Sequence, residues 1–296
     1  MRSILTGLLC FIQACLFFGC DLPGERKGVP VWGAVTLRRT CATWEEQSKI
    51  HQDAFPNLAG TMLEVGVYPG SPHPIPGFRY HAPHKLDTLI RHLKTDQLPY
   101  LIAFHWPEAS FPRIKKDHIQ QTLAEISSLL IRCRHYPPDK LIFSGRWINT
   151  PLATPILAEF LQETENAFPA LQGQIVLAAP PKDITDNFPW ELGDHVGILY
   201  PNRVDTLQEN WFRSANQQIG KQLVKHRKSA MVFNPKLPPN SMGRIFKRGL
   251  SFWDRKVAIS GIVLNEFYCP YSESEAPAPP SEQFHEYLKS YLEISP

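Results

Sequence analysis

The chain has little charge, and almost no excess of one sign. Charged residues make up 20% of its 296 residues, and 31 Lys and Arg stand against 28 Asp and Glu. A net charge of only +3 excludes a protein that holds nucleic acid by bulk positive charge. A hydrophobic content of 43% excludes a disordered chain. We therefore expect a globular protein with no nucleic-acid partner.

Several motifs that mark cofactor or metal chemistry are missing. There is no glycine-rich phosphate fingerprint, no Walker lysine motif and no serine nucleophile elbow. His81 and His84, with His73 nearby, lack a neighbouring carboxylate or cysteine that would complete a metal site. The sequence therefore predicts no cofactor and no metal.

Beyond the first twenty residues, cysteine is too sparse for a disulfide framework. Three cysteines remain there, Cys41, Cys133 and Cys269, and they are odd in number and widely spaced. Neither a set of disulfides nor a zinc motif has this spacing. We expect three buried thiols, with one disulfide plus a free thiol as the alternative.

The N-terminal segment has the pattern of a targeting signal. Arg2 precedes the apolar run Ile4–Phe18, which ends at Gly19 and Cys20. A basic start, a short apolar run and a small residue are typical of a secretory signal, whereas a spanning helix needs about 20 apolar residues. A small residue followed by cysteine resembles the lipobox of bacterial lipoproteins, in which the cysteine is lipidated. We predict a signal peptide over residues 1–20 and a linker over 21–30.

This resemblance implies a protein held to the bacterial cell envelope by acyl chains on Cys20. Cys15 is a competing lipidation site, and the aromatic residues Phe17 and Phe18 depart from the usual lipobox. An ordinary signal peptide and a true membrane anchor remain as alternatives.

Eight short β-rich runs recur through the rest of the chain. Most are continuous apolar runs, which suit parallel strands covered on both faces. The predicted strands are Val31–Thr36, Thr61–Val67, Pro99–His105, Lys140–Ser144, Gln174–Ala179, His195–Tyr200, Ala230–Asn234 and Ile259–Asn265.

Amphipathic helical patterns lie between these runs. Ile119, Leu123, Ile126 and Leu130 recur at steps of four and three, which places them on one helix face. The shortest interval allows a brief helix around Ile184–Trp190. Strand and helix repeated eight times predict one (β/α)₈ barrel over residues 31–296, with an open doubly wound sheet as the alternative.

In such barrels ligands bind where the strands end, at the C-terminal rim. The residues just past the predicted strands are rich in aromatic rings, which stack on sugar faces, and in Asn and Arg, which bond hydroxyls. Cations outnumber anions among them, so the ligand is predicted to be an anionic carbohydrate. The candidate ligand-binding residues are Arg38, His105, Trp106, Arg146, Trp147, Tyr200, Asn202, Asn234, Lys236, Glu266 and Tyr268.

The chain resembles the glycoside hydrolase clan that includes the family 113 mannanases. Leu141–Trp147 (LIFSGRW) stands where these enzymes have a fourth strand ending in Gly-Asn-Glu, and Ala230–Lys236 (AMVFNPK) stands where their seventh strand carries a second glutamate. Gln174–Ala179 and Asp194–Tyr200 are similar to their fifth and sixth strands. The likeness spans roughly residues 31–290 and is mostly topological.

The departures from this clan bear on catalysis. Retaining glycosidases need two carboxyls about 5–5.5 Å apart, but Arg146 or Trp147 falls at the acid position and Asn234 or Lys236 at the nucleophile position. The resemblance therefore implies a degenerate enzyme that binds a glycan or a partner.

The alternative is an active hydrolase with a rearranged carboxylate pair. Glu108 after the third strand and Glu266 after the eighth are the candidates, since side chains can meet across a barrel mouth. Glu64, inside the second strand, is a further carboxylate that could point inward.

Overall fold

The computed structural model describes residues 29–36, 58–66, 83–105, 115–199, 209–234 and 257–264. Within them, eight parallel strands pair in sequence order and β1 also pairs with β8, which closes the barrel. The strands are β1 Val31–Thr36, β2 Gly60–Gly66, β3 Tyr100–His105, β4 Lys140–Ser144, β5 Ile175–Ala179, β6 His195–Leu199, β7 Ser229–Asn234 and β8 Ile259–Leu264. The predicted single-domain (β/α)₈ barrel is confirmed, and each strand bound lies within one residue of its prediction.

Helices follow the strands on the outside of the barrel. The described α-helices are α1 Pro83–Thr95, α2 Lys116–Arg132, α3 Ala153–Ala167 and α4 Glu209–His226. The predicted face of α2 is buried, since Ile119, Leu123, Ile126 and Leu130 are at most 4% exposed. Apolar burial of this face packs the helix into the outer apolar cluster that covers the barrel.

One predicted helix is wrong. Residues 184–190 form turns, and the helical element of this interval is a single 3₁₀ turn, Pro181–Asp183, directly after β5. Pro180 and Pro181 set the turn, because a proline ring fixes φ and fits the start of such a turn. Trp190 then folds back, with its indole Nε1 donating to Thr185 O at 2.9 Å.

The strand side chains alternate between two separate apolar clusters. The outer cluster packs the strands against the helices, and it holds large residues such as Phe104, Phe143 and Phe160. The inner cluster fills the barrel in layers drawn from alternate strands. From the N-terminal end upward these layers are Trp32, Leu101, Val176 and Met231; then Met62, Ile142 and Val263; then Ala34, Ala103, Ala178 and Phe233.

Candidate functional site

Most of the predicted site residues lie outside the part of the chain that the structure describes. Those outside the described residues are Arg38, Trp106, Glu108, Tyr200, Asn202, Lys236, Glu266 and Tyr268, together with the lipidation candidates Cys15 and Cys20. For another three, the structure describes the backbone: His105 ends β3, Arg146 begins a 3₁₀ turn after β4, and Asn234 ends β7. Glu64 lies in β2 and pairs with Thr36 of β1 and Ala103 of β3.

The turn after β4 stands where the resemblance places the catalytic acid. Gly145 has a φ of 120°, which L-residues with a side chain rarely adopt, and the 3₁₀ turn Arg146–Asn149 follows it. Trp147 is 1% exposed and belongs to the outer cluster. Its indole Nε1 donates to Ser144 O at 3.1 Å.

The structure therefore corrects the prediction that Trp147 stacks on a ligand. An indole with its ring packed in the outer core and its N–H bonded to the backbone has no face left for a sugar. The sequence could not reveal this, because an aromatic residue next to a strand end occurs both in clefts and in cores.

Hydrogen bonds hold this turn to the next strand end. Asn149 Nδ2 donates to Asp183 O at 3.0 Å, which joins the segments after β4 and β5. Thr150 Oγ1 donates to Trp147 O at 2.8 Å and accepts from Ala153 N at 3.2 Å, so it joins the 3₁₀ turn to the first residue of α3. The backbone after β4 is therefore fixed by its own side chains.

The barrel interior beneath this end is made of small residues and one ring. Ala34, Ala103 and Ala178 share the uppermost inner layer with Phe233, which is 3% exposed. A Cβ on Gly197 would meet Phe233 Cε2 at 2.8 Å and Ala178 Cβ at 2.5 Å. The phenyl ring thus occupies the space over Gly197 and closes the described interior with an apolar floor.

The opposite, N-terminal end holds a polar cluster that the sequence analysis did not identify. Lys140 Nζ donates to Gln174 Oε1 at 2.5 Å and lies 3.0 Å from His195 Nε2. His195 Nδ1 lies 2.5 Å from Ser229 Oγ. We call Lys140, Gln174, His195 and Ser229 the basal cluster. Lys140, His195 and Ser229 are polar first residues of strands whose central residues are apolar, and this was the signal available in the sequence.

Burial and charge set the protonation of the basal cluster. Burial, and next the ammonium of Lys140, lower the pKa of His195 to about 4, so its ring is neutral at pH 7. Burial lowers the pKa of Lys140 too, and Asp139 and Asp194 oppose that shift. The ammonium therefore donates to His195 Nε2, which leaves the ring proton on Nδ1 as the donor to Ser229 Oγ.

This proton arrangement is unsuited to nucleophilic catalysis. In a Ser-His-acid triad the histidine accepts the serine proton, and a carboxylate stabilises the imidazolium that forms. Here the histidine donates to Ser229, and the group behind it is the cation Lys140. The basal cluster is therefore structural, which agrees with its place at the N-terminal end of the barrel.

Carboxylates lie around the basal cluster without forming a metal site. Asp194 Oδ2 accepts from Ile175 N at 2.9 Å. Burial, and next the charge of Asp194, raise the pKa of Glu165. Across the described ranges, no group of three or more His, Cys, Asp or Glu side chains is placed to bind a metal ion. In the same ranges, no helix has the length and hydropathy to cross a bilayer.

Comparisons with solved structures find the same fold in several glycoside hydrolases and in a protein of another role. The family 113 β-mannanase of Alicyclobacillus acidocaldarius matches with a TM-score of 0.58 and 11% identity, covering 93% of this chain and 99% of the enzyme. The family 26 β-mannanase of Bacteroides ovatus matches with a TM-score of 0.54 and 9% identity, covering 91% and 89%.

A protein described as an inhibitor also has this fold. The xylanase-α-amylase inhibitor protein in complex with trehalose matches with a TM-score of 0.55 and 12% identity, covering 89% of this chain and 96% of the inhibitor. No protein-family model matches the sequence, and no curated protein matches it. The chain is thus similar in fold to these glycoside hydrolases and to this inhibitor, and at these identities the likeness concerns the fold alone.

Proposed function

We propose that this is a lipid-anchored cell-envelope protein whose barrel binds a glycan or a protein partner at its C-terminal rim without cleaving it. The observation that carries the proposal is the burial of Trp147. This residue stands at the predicted acid position after β4, yet its side chain is 1% exposed. A buried indole cannot protonate a glycosidic oxygen as a carboxylic acid does.

The end of β7 supports the same proposal. Asn234 closes this strand, where the resemblance places the nucleophilic glutamate. A neutral amide does not form the glycosyl-enzyme intermediate that a carboxylate forms. The inhibitor with the same fold is a precedent for a role other than hydrolysis.

A panel of glycans separates binding from cleavage. The chain without residues 1–20 is applied to immobilised neutral and acidic polysaccharides, and the supernatant is assayed for new reducing ends. We expect saturable binding with no release of sugar. Sugar release that is lost in both Glu108→Gln and Glu266→Gln, with Glu125→Gln on the exposed side of α2 as the control, would instead establish the rearranged hydrolase.

The proposed ligand is anionic, and Arg146 is the residue to test. Arg146 begins the turn after β4, and a guanidinium can bind a carboxylate or sulfate through two parallel hydrogen bonds. Arg146→Ala should weaken the binding of uronic or sulfated glycans and reduce its salt dependence, whereas Arg134→Ala, remote from the rim, should not. Equal, salt-insensitive binding of neutral and acidic polymers would contradict an anionic preference.

Membrane attachment is tested separately in a bacterial host. Cys20→Ser should move the full chain out of the detergent phase and abolish labelling by a fatty-acid analogue, with Cys15→Ser as the matched control. If the label is retained in Cys20→Ser and lost in Cys15→Ser, the lipidated residue is Cys15.

A further inference from the structure

The basal cluster ties together the N-terminal ends of four consecutive strands. Lys140, His195 and Ser229 belong to β4, β6 and β7, and Gln174 directly precedes β5. Hydrogen bonds join Gln174 with Lys140, Lys140 with His195, and His195 with Ser229. On the other side of the barrel, Trp32 of β1 is 4% exposed and belongs to the apolar inner cluster. The basal cluster therefore adds polar bonds on the half of this end formed by β4–β7, in addition to the apolar layer of Trp32, Leu101, Val176 and Met231 that fills the whole end.

The charges around His195 come from several elements. Beside burial, which lowers its pKa most, two cations lower it further, Lys140 of β4 and Lys228 just before β7, and Asp194 just before β6 raises it. Lys228 Nζ also donates to Gly193 O at 2.7 Å. Two further carboxyls face the cluster indirectly, Asp139 through Lys140 and Glu165 of α3 through Asp194.

We propose that the basal cluster is an acid-sensitive latch. A proton taken from solvent by His195 Nε2 occupies the lone pair that accepts from Lys140. The hydrogen bond is then lost, and the Lys140 ammonium and the charged His195 ring, about 3 Å apart, repel each other. The N-terminal ends of β4–β7 separate as a result, while the half around Trp32 stays closed.

The direction in which the stability of the closed latch changes with pH follows from the pKa shift of His195. Its pKa is about 4 when the latch is closed and about 6.5 in open chain, so the open form binds the proton more tightly. The contribution of His195 to the closed state is therefore complete above pH 6.5 and is lost as the pH falls toward 4.

Protonation of two neighbouring carboxyls at low pH has the opposite effect on the stability of the closed form. Burial raises the pKa of Asp139 and of Glu165, so protonation at low pH favours the closed form at these two residues. Because both carboxyls remain in a His195 variant, the difference between wild type and variant isolates the histidine.

Hydrogen–deuterium exchange at pH 7.0 and pH 4.5 tests the latch. The reporters are backbone amides whose hydrogen bonds join neighbouring strands of this set at their N-terminal ends: Leu141 bonded to Gln174 O, between β4 and β5, and Asp194 bonded to Ile175 O, between β5 and β6. Amides on the Trp32 side serve as internal controls: Ala59 bonded to Val31 O, and Ile262 bonded to Pro30 O.

We expect the reporter amides to lose at least about tenfold protection at pH 4.5 after correction for intrinsic exchange, which is the range that the pKa shift allows after solvent screening. The control amides should keep their protection. His195→Gln retains an oxygen acceptor for Lys140 but does not titrate, so its reporters should show little change with pH. Equal acid sensitivity in wild type and His195→Gln, or equal loss at reporters and controls, would overturn the proposal.

A second measurement tests the proposal on the wild-type chain, in case the His195 variant does not fold. The NMR titration of the His195 ring in the wild-type chain should have a midpoint near 4, and Lys140→Met should move it toward 6.5 because the neighbouring cation is gone. A wild-type midpoint near 6.5 would refute the latch, since the closed form would then tolerate the proton.

Discussion

The two ends of the barrel differ in what holds the strands together. At the N-terminal end, Lys140 and His195 join strands through hydrogen bonds between polar side chains. At the C-terminal end, the described interior has a layer of three alanines and Phe233, whose ring covers Gly197, and the turn after β4 buries Trp147 in the outer core. The titratable cluster of the described residues therefore lies at the end that usually serves stability rather than catalysis.

This difference shows that titratable groups in hydrogen-bonding contact do not by themselves form an active site. Ser229, His195 and Lys140 have the connectivity of a nucleophilic triad, but burial, and next the cation at its far end, lower the pKa of the histidine. The charge of the group bonded to the histidine decides the role of such a row of hydrogen bonds: a carboxylate allows the histidine to activate a serine, whereas a cation leaves a structural tie between strands.

The largest expected effect is at the C-terminal end. Trp147→Ala should lower the free energy of unfolding by about 3–5 kcal/mol, because it leaves a cavity in the outer core and removes the hydrogen bond to Ser144 O. Urea denaturation measures the loss. Leu152→Ala, at a residue that is 41% exposed, is the control and should have a much smaller effect. An unchanged denaturation midpoint for Trp147→Ala would contradict the burial of this indole in the core and would favour its predicted place in the ligand cleft.

An intermediate effect is expected at the apolar floor. Gly197→Ala should cost about 1–3 kcal/mol, since the new methyl would lie 2.5 Å from Ala178 Cβ and 2.8 Å from Phe233 Cε2. Thermal or urea unfolding would detect the change. Phe233→Leu in the same chain should recover part of the loss by making room. A Gly197→Ala protein as stable as wild type would mean that the floor is not closed by Phe233.

A smaller effect is expected at the N-terminal end. Ser229→Ala should cost about 1 kcal/mol at pH 7, because His195 Nδ1 loses its acceptor while partial exposure lets water replace it. Ser128→Ala on the exposed side of α2 is the matched control. A loss as large as that of Trp147→Ala would show that the two ends contribute alike.

The sequence predicted the barrel because its signals are local and repeated. Runs such as Leu141–Phe143 are apolar on both faces, which marks a parallel strand before any tertiary contact is known. The side-chain direction of Trp147 was beyond that analysis, since it depends on the turn at Gly145 and on the space beside α3. The bond between Lys140 and His195 joins residues 55 positions apart, and it becomes visible once the strand register is known.

The central claim is that this barrel binds its ligand at the C-terminal rim without hydrolysing it. The most direct measurement is mass spectrometry of an oligosaccharide that the protein binds, recorded after prolonged incubation with a molar equivalent of protein. The account predicts an oligosaccharide of unchanged mass, recovered in complex with the protein. Shortened products that accumulate with wild type and not with Glu108→Gln or Glu266→Gln would contradict it.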